Sequence, residues 1–324
     1  MHMGSRAMRV STRLAVQLVA VSVLVIGAVT PAVAARPGHG GSGGSTGSDG
    51  STTTGADVSY PQCGTTLPSF AFGIVGVNDG LANNFNPCLG PSSSYPSYTQ
   101  SELYWAVTAS TGLTSPSTQP KASLYVNTAD PGNMYNGKPI ADWPTSGTNT
   151  DGTCTTTTVT SRGHTYTVGA NSDACAWEYG YNKATHDATW LTDAADAIDN
   201  QMASAVPTSP SSYPWWLDVE TGNTWQSDTS MNVADLQGMV AGLQNDGATS
   251  IGAYSTASQW NSITGGTTST LRAGSLYGIP NWIPGATTQS QAESNCTLSS
   301  FTGGSVVVTQ WTGSPDNDWA CLPA

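Results

Sequence analysis

Short apolar runs, each closed by polar residues or glycine, recur along most of the chain. Residues 70–77, 122–126, 215–219, 251–254 and 306–308 each read as a short buried strand, and residues 55–62 would be the first of the series. Between them the apolar spacing turns helical. Residues 102–109 make one such stretch and residues 176–202 a second, with Trp190, Leu191, Ala194, Ala195 and Ile198 at helical spacing. Residues 232–244 make a third, with Val233, Leu236, Met239, Val240 and Leu243 on one side and Gly247 just past its end. Continuous apolar strands alternating with helices predict an α/β fold with a parallel sheet covered on both faces. The length of residues 56–324 suits an eight-stranded (β/α)8 TIM-like barrel. A doubly wound open sheet is the competing arrangement, but no Gly-x-Gly-x-x-Gly follows the early strands.

Residues 130–174 break the alternation, being rich in Thr, Gly and Ser. Two β-prone runs, 155–160 and 164–168, flank Ser161-Arg162-Gly163 and predict a hairpin inserted in a βα loop.

The N-terminus reads as a targeting segment. Arg6, Arg9 and Arg13 precede an apolar run over residues 14–30, and Pro31-Ala32-Val33-Ala34-Ala35 follows. A positive start, an apolar centre and small residues before a cut after Ala34 are the plan of a secretory signal peptide over 1–34. The run is at the short end for a spanning helix, so no stable membrane insertion is expected after cleavage. Residues 35–55 are dominated by Gly, Ser and Thr and read as a flexible linker to a barrel domain over 56–324.

Export changes the meaning of the cysteines. Six of them, Cys63, Cys88, Cys154, Cys175, Cys296 and Cys321, all follow the signal. An even count in an exported chain points to disulfides, and six cysteines allow fifteen pairings. They fall into three near-neighbour couples, so sequential pairing is expected, with 154/175 stapling the hairpin insertion. A zinc site would need closer Cys-x-x-Cys or Cys/His spacing, which the chain lacks.

Charge narrows the partners. Only 9% of residues are charged, with 9 Lys and Arg against 21 Asp and Glu and a net charge of −12. Such a surface repels phosphate backbones and anionic bilayers, which excludes nucleic acid as a main partner and adhesion through a basic patch. Eleven Trp and twelve Tyr supply both buried area and stacking surfaces.

The sharpest chemical feature is Asp218-Val219-Glu220, closing an apolar run before Gly222. Strand residues two apart point the same way, roughly 6.6 Å apart along the strand. In a parallel barrel that end is the active-site mouth. Converging carboxylates repel, one proton is held more tightly, and a pair with separated affinities is what glycosidic cleavage uses. Asp57 and Ser59 would end the first strand on one face, and Asp316-Asn317-Asp318 would form the loop after the last strand. First and last strands are neighbours in a closed barrel, so these acids would meet Asp218 and Glu220.

Asp57-Val58-Ser59-Tyr60-x-Gln62 resembles the opening motif of glycoside hydrolase family 25 lysozymes. Asp218-x-Glu220, Gly252-x-Tyr254-Ser255, Asn281-Trp282-Ile283 and Gln310-Trp311 with Asp316-x-Asp318 resemble its later elements in order. Asn78-Asp79 stands at the end of the second strand where those lysozymes carry a Lys-x-(Ser/Thr)-Glu-Gly ending. With the hairpin and the cysteines, this most resembles a secreted actinobacterial glycoside-hydrolase-like family related to family 25. The resemblance implies a glycan-active barrel working on cell-wall polysaccharide. It makes Glu220 the general acid and Asp218 the nucleophile or helper to a substrate acetamide, with Asp57 and Asp316 holding the developing positive charge. Tyr60, Trp225, Tyr254, Trp282 and Trp311 would stack on sugar rings, and Asn78, Asp79 and Gln310 would bind substrate. The alternative is a carbohydrate-binding barrel without turnover.

Other chemistries are weaker. The four histidines are scattered, no cofactor or metal is expected, and a monomer is the expected state. Asp187, Asp193, Asp196 and Asp199 read as the solvated side of a helix. Asp316-Asn317-Asp318 begins like a calcium loop but lacks the Gly and closing Glu.

Overall fold

The computed structural model describes residues 54–79, 84–108, 119–266, 271 and 274–321. The expected signal peptide, the linker up to residue 53 and Ala109 lie outside the described residues. The first strand, β1, runs Thr54–Val58, so it begins two residues inside the Gly/Ser/Thr-rich segment. It is followed by β2 (Gly73–Gly76), α1 (Glu102–Thr108) and β3 (Ala122–Asn127). The excursion then forms three small ribbons: β4 (Met134–Tyr135) with β5 (Lys138–Pro139), β6 (Gly147–Asn149) with β7 (Gly152–Cys154), and β8 (Thr156–Ser161) with β9 (His164–Gly169). Next come α2 (Asp173–Asp199), β10 (Trp215–Asp218), α3 (Thr229–Asn245), β11 (Ile251–Tyr254) and α4 (Ala257–Thr264). The chain ends with β12 (Asn281–Ala286), α5 (Gln289–Asn295), β13 (Val306–Trp311) and β14 (Asp316–Ala320).

Eight strands close a barrel in the order β1-β14-β13-β12-β11-β10-β3-β2. All neighbours are parallel except β14, which runs antiparallel to both β1 and β13. The fold is the expected TIM-like barrel with one strand reversed. Residues 316–318 are therefore not a loop but the start of the closing strand. A hairpin return from β13 needs no covering helix, so β14 starts at the mouth, where β13 ends.

Alternation sorts side chains between two cores. Trp215 and Leu217 pack outward among the helices, whereas Trp216 packs inside the barrel with Phe72, Ile74, Tyr125, Trp282 and Val308. Outside, α2 lies against α3 so closely that a Cβ on Gly180 or Gly238 would strike the facing helix backbone. Ser172 accepts from the Cys175 amide and caps α2, which starts the helix three residues before its apolar spacing does. The hairpin forms where expected, turning on Arg162 and Gly163, both at positive φ.

The cysteines pair in sequence order: Cys63–Cys88, Cys154–Cys175 and Cys296–Cys321, with Cα separations of 4.8, 4.6 and 5.5 Å. The second staples the excursion to the first turn of α2. Among the described residues, no helix is long and apolar enough to cross a membrane. Two acids of α2 depart from the solvated side: Asp193 and Asp196 are exposed, but Asp199 is half-buried, accepting from the Ala205 and Val206 amides, and Asp187 is 1% exposed. Asp187 sits at helical spacing from Ala184 and Leu191, both buried, so the helix turns it inward.

Candidate active site

A cavity of about 310 Å³ opens at the C-terminal ends of the parallel strands. Asp57 (β1), Asp218 and Glu220 (the end of β10 and just beyond) and Asp316 (the start of β14) all border it. Tyr254, Trp282 and Gln310 border it as well. So do Ser59, Tyr125, Asn127, Gly222 and Asn223, which the motifs had not singled out as site residues. Tyr125 and Asn127 were accessible to simple alternation: they end β3 two residues apart, as Trp216 and Asp218 end β10. A Cβ on Gly76 would lie 2.7 Å from the Tyr125 ring, and the glycine leaves room for its hydroxyl to donate to the Val58 carbonyl at 2.9 Å.

Around β1 and β14 the polar groups are densely bonded. Gln310 Nε2 donates to Asp57 Oδ2 at 2.8 Å, and Tyr254 Oη donates to Gln310 Oε1 at 2.9 Å. Ser59 Oγ lies 3.2 Å from Asp57 Oδ1 and 2.9 Å from Asp316 Oδ2. Its single proton serves one of these at a time. The Gly313 amide donates to Asp316 Oδ1 at 2.8 Å, and Trp282 Nε1 donates to Asp318 Oδ1 at 2.8 Å. Asp57 and Asp318 lie within hydrogen-bonding reach of each other. Their charges repel, so Asp57 favours the neutral form of Asp318, and Asp318 Oδ2 has no hydrogen-bond partner. Burial is the largest cause holding both above the usual carboxylate range. The Gln310 bond opposes it at Asp57, and Asp57 itself reinforces it at Asp318.

The β10 side is sparser. Asp218 is 8% exposed and its Oδ1 has no hydrogen-bond partner. Burial, then the charges of Glu220 and Asp57, push its carboxyl well above the ordinary range. The backbone around it is clamped: Thr128 Oγ1 donates to the Asp218 carbonyl at 2.6 Å and Ser255 Oγ to the Val219 carbonyl at 2.7 Å. Glu220 is half-buried at the rim and accepts from Gln259 Nε2 at 3.4 Å. The Gln259 oxygen is in turn held by the Thr221 amide at 2.7 Å.

Several expected binders stand elsewhere. Tyr60 is 61% exposed and borders a separate outer recess with Tyr95 and the Cys63–Cys88 bridge. Trp225 does not border the cavity; its Nε1 donates to the Glu220 carbonyl at 2.8 Å and holds the loop. Trp311 follows Gln310 on β13, so alternation turns it away when Gln310 points in. Asn78 is buried behind the cavity and does not border it, nor does Asp79, whose carbonyl accepts from Asn127 Nδ2 at 3.2 Å. Among the described residues, no cluster of His, Cys, Asp and Glu is arranged to hold a metal ion.

Comparison with known proteins adds a family signal to this geometry. A family model for lysozyme-like protein 1 matches residues 185–302, the stretch that carries Asp218, Glu220, Tyr254 and Trp282. Two proteins of Dictyostelium discoideum, probable GH family 25 lysozymes 4 and 2, are each 51% identical over 53 residues, 16% of this chain. The chain spans about a quarter (24%) of the length of these curated relatives. A solved glycosyl hydrolase 25 of Streptococcus pneumoniae is 15% identical, covering 84% of this chain and 87% of its own, with a TM-score of 0.34.

Proposed function

We propose that this lysozyme-related, family-25-like barrel is a secreted glycoside hydrolase that cleaves cell-wall glycan, peptidoglycan or a related polysaccharide, by carboxylate acid/base catalysis. One observation carries the reading: Asp57, Asp218, Glu220 and Asp316, far apart in sequence, border a single cavity at the barrel mouth. The match of residues 185–302, which hold Asp218 and Glu220, to the lysozyme-like protein 1 model supports it. Three disulfides suit an oxidising compartment.

Asp218 and Glu220 lie two residues apart, border the same cavity and act together. Burial favours the neutral form on Asp218, so the pair enters the reaction as an acid. Glu220 is the member at the rim and hands the proton to the leaving glycosidic oxygen. As that bond breaks, the sugar ring gains positive charge; once the leaving sugar departs, a water adds to the anomeric carbon and returns a proton to the Glu220 carboxylate. The Asp57–Asp316–Asp318 group, three to four strands round the barrel from β10, supplies the countercharge. Tyr254 and Trp282 give the ring an aromatic wall.

The test is release of reducing ends from purified peptidoglycan and from a panel of bacterial wall polysaccharides. Turnover that disappears in Glu220→Gln is the expected result. Binding that survives Glu220→Gln, with no release by the parent chain on any polysaccharide, would replace the hydrolase by a carbohydrate-binding barrel.

A further inference from the structure

Asn127 closes β3 directly beside Asp218 on β10, and it borders the cavity. Its surroundings fix which way its amide faces. The two amide hydrogens are both engaged: Nδ2 donates to Asn78 Oδ1 at 3.0 Å and to the Asp79 carbonyl at 3.2 Å. An amide nitrogen has no third hydrogen, so the oxygen is left to meet a ligand. Asn78 is fixed from several directions. Its Oδ1 also accepts the Asn127 backbone amide at 2.7 Å, which requires oxygen at that place and settles the orientation of the Asn78 amide. Its Nδ2 donates to the Asn127 carbonyl at 3.1 Å and to Asp187 Oδ1 at 3.4 Å. Asp187 reaches this point from α2 and is almost fully buried.

We propose that Asn127 is a specificity-determining residue whose side-chain oxygen accepts a hydrogen bond from a donor on the bound sugar, and that Asn78, anchored by Asp187, is the positioning residue that keeps that oxygen facing the cavity. The proposal rests on the glycan reading of the site. The donor is a ring hydroxyl or the N–H of an acetamido group. The relay explains why Asn78 lies behind the cavity and still matters to it. It also gives a role to Asp187, a buried carboxylate that the acid/base chemistry does not use.

The experiment measures calorimetric binding of two probes to the Glu220→Gln protein, which holds glycan without turning it over. The probes are peptide-free glycan strands of peptidoglycan and the same strands chemically de-N-acetylated. Loss of one neutral hydrogen bond in Asn127→Ala is expected to weaken binding about three- to tenfold. If the donor is the acetamido N–H, the loss falls on the acetylated strands alone. If it is a hydroxyl, both probes weaken alike. Asn78→Ala is expected to reproduce most of the loss, and the double variant Asn78→Ala/Asn127→Ala to add little beyond Asn127→Ala. Should Asn127→Ala fail to fold, Asn127→Ser serves, because its hydroxyl keeps a polar group at the position but is too short to replace the amide oxygen facing the ligand, and the same loss is expected. Unchanged binding of both probes in the Asn127 variants, or fully additive losses with Asn78→Ala, overturns the proposal while leaving the glycan site standing. No binding of either probe to the parent site overturns both.

Discussion

The two sides of the cavity are built on opposite plans. On the β1–β14–β13 side, Asp57, Asp316 and Asp318 are tied through Gln310, Ser59, Tyr254, Trp282 and the Gly313 amide. On the β10 side the backbone is clamped, but Asp218 Oδ1 has no partner and Glu220 has one long contact. A web of fixed donors holds charge in place without reorganisation, which suits a developing cation. A buried carboxyl without donors keeps its proton to higher pH and so still carries one to give, which suits an acid. Under the proposed glycosidase reading, this difference would give electrostatic work to one side and proton transfer to the other.

The largest effect that would sharpen this contrast is at Glu220. Glu220→Gln keeps the shape and removes the proton, and kcat on peptidoglycan is expected to fall by about 10²–10⁴-fold with little change in melting temperature. A kcat within a few-fold of the parent would remove Glu220 from proton transfer. Asp57→Asn comes next. It leaves Gln310 in place but deletes the charge, and a loss of about 10²-fold in kcat with KM nearly constant is expected. Should KM rise instead while kcat holds, the β1 side would be a binding surface and the division of labour would fail.

Stability gives the third test. Asp57, Asp218 and Asp318 bind protons more tightly folded than unfolded, through burial. Glu102, which accepts from the Gln62 amide at 2.6 Å and Asn86 Nδ2 at 2.8 Å, is likewise pushed up, to about 7 from 4.5. Raised carboxyl values mean the folded state holds extra protons above the unfolded values. Stability is therefore greatest at mildly acidic pH and is lost as pH rises towards neutrality. Thermal melts between pH 4.5 and 7.5 are expected to fall by several degrees. Asp218→Asn should flatten the curve, because the amide carries no charge to bury. Asp193→Asn, on the solvated face of α2, should leave it unchanged. A melting temperature that climbs through this window would mean that these carboxyls are not buried as described.

How much of this was legible beforehand follows from one rule. Alternation with period two, applied to residues whose strand was correctly read, places Asp57, Asp218, Tyr254 and Gln310 at the cavity. The same rule, left unapplied, would have turned Trp311 away and brought Tyr125 and Asn127 in. The reversed strand β14 was not legible. Asp316-Asn317-Asp318 is polar, and it follows Gly313 and Pro315, which signal a turn. Only its pairing with both β1 and β13 makes it a strand, and that is a long-range property. Asp187 failed for the reverse reason. Its polarity points to solvent, but its helical spacing from Ala184 and Leu191 turns it into the core.

The smallest expected effect is also the most discriminating. Tyr254 anchors the oxygen of Gln310, and the nitrogen of the same amide donates to Asp57. Tyr254→Phe keeps the ring and removes only the anchor. The amide is then free to turn, and each moment it presents its oxygen to Asp57 it ceases to favour the ionised carboxylate. Asp57 should hold its proton to higher pH, so the acidic limb of the pH–rate profile should move upward, with kcat at its plateau lowered by no more than about threefold. Gln259→Leu removes the corresponding amide on the other side, where it meets Glu220 rather than Asp57, and that limb should stay where it is. If the two variants move the same limb by the same amount, the two sides titrate as one unit, and the separation between holding charge and moving a proton has no basis.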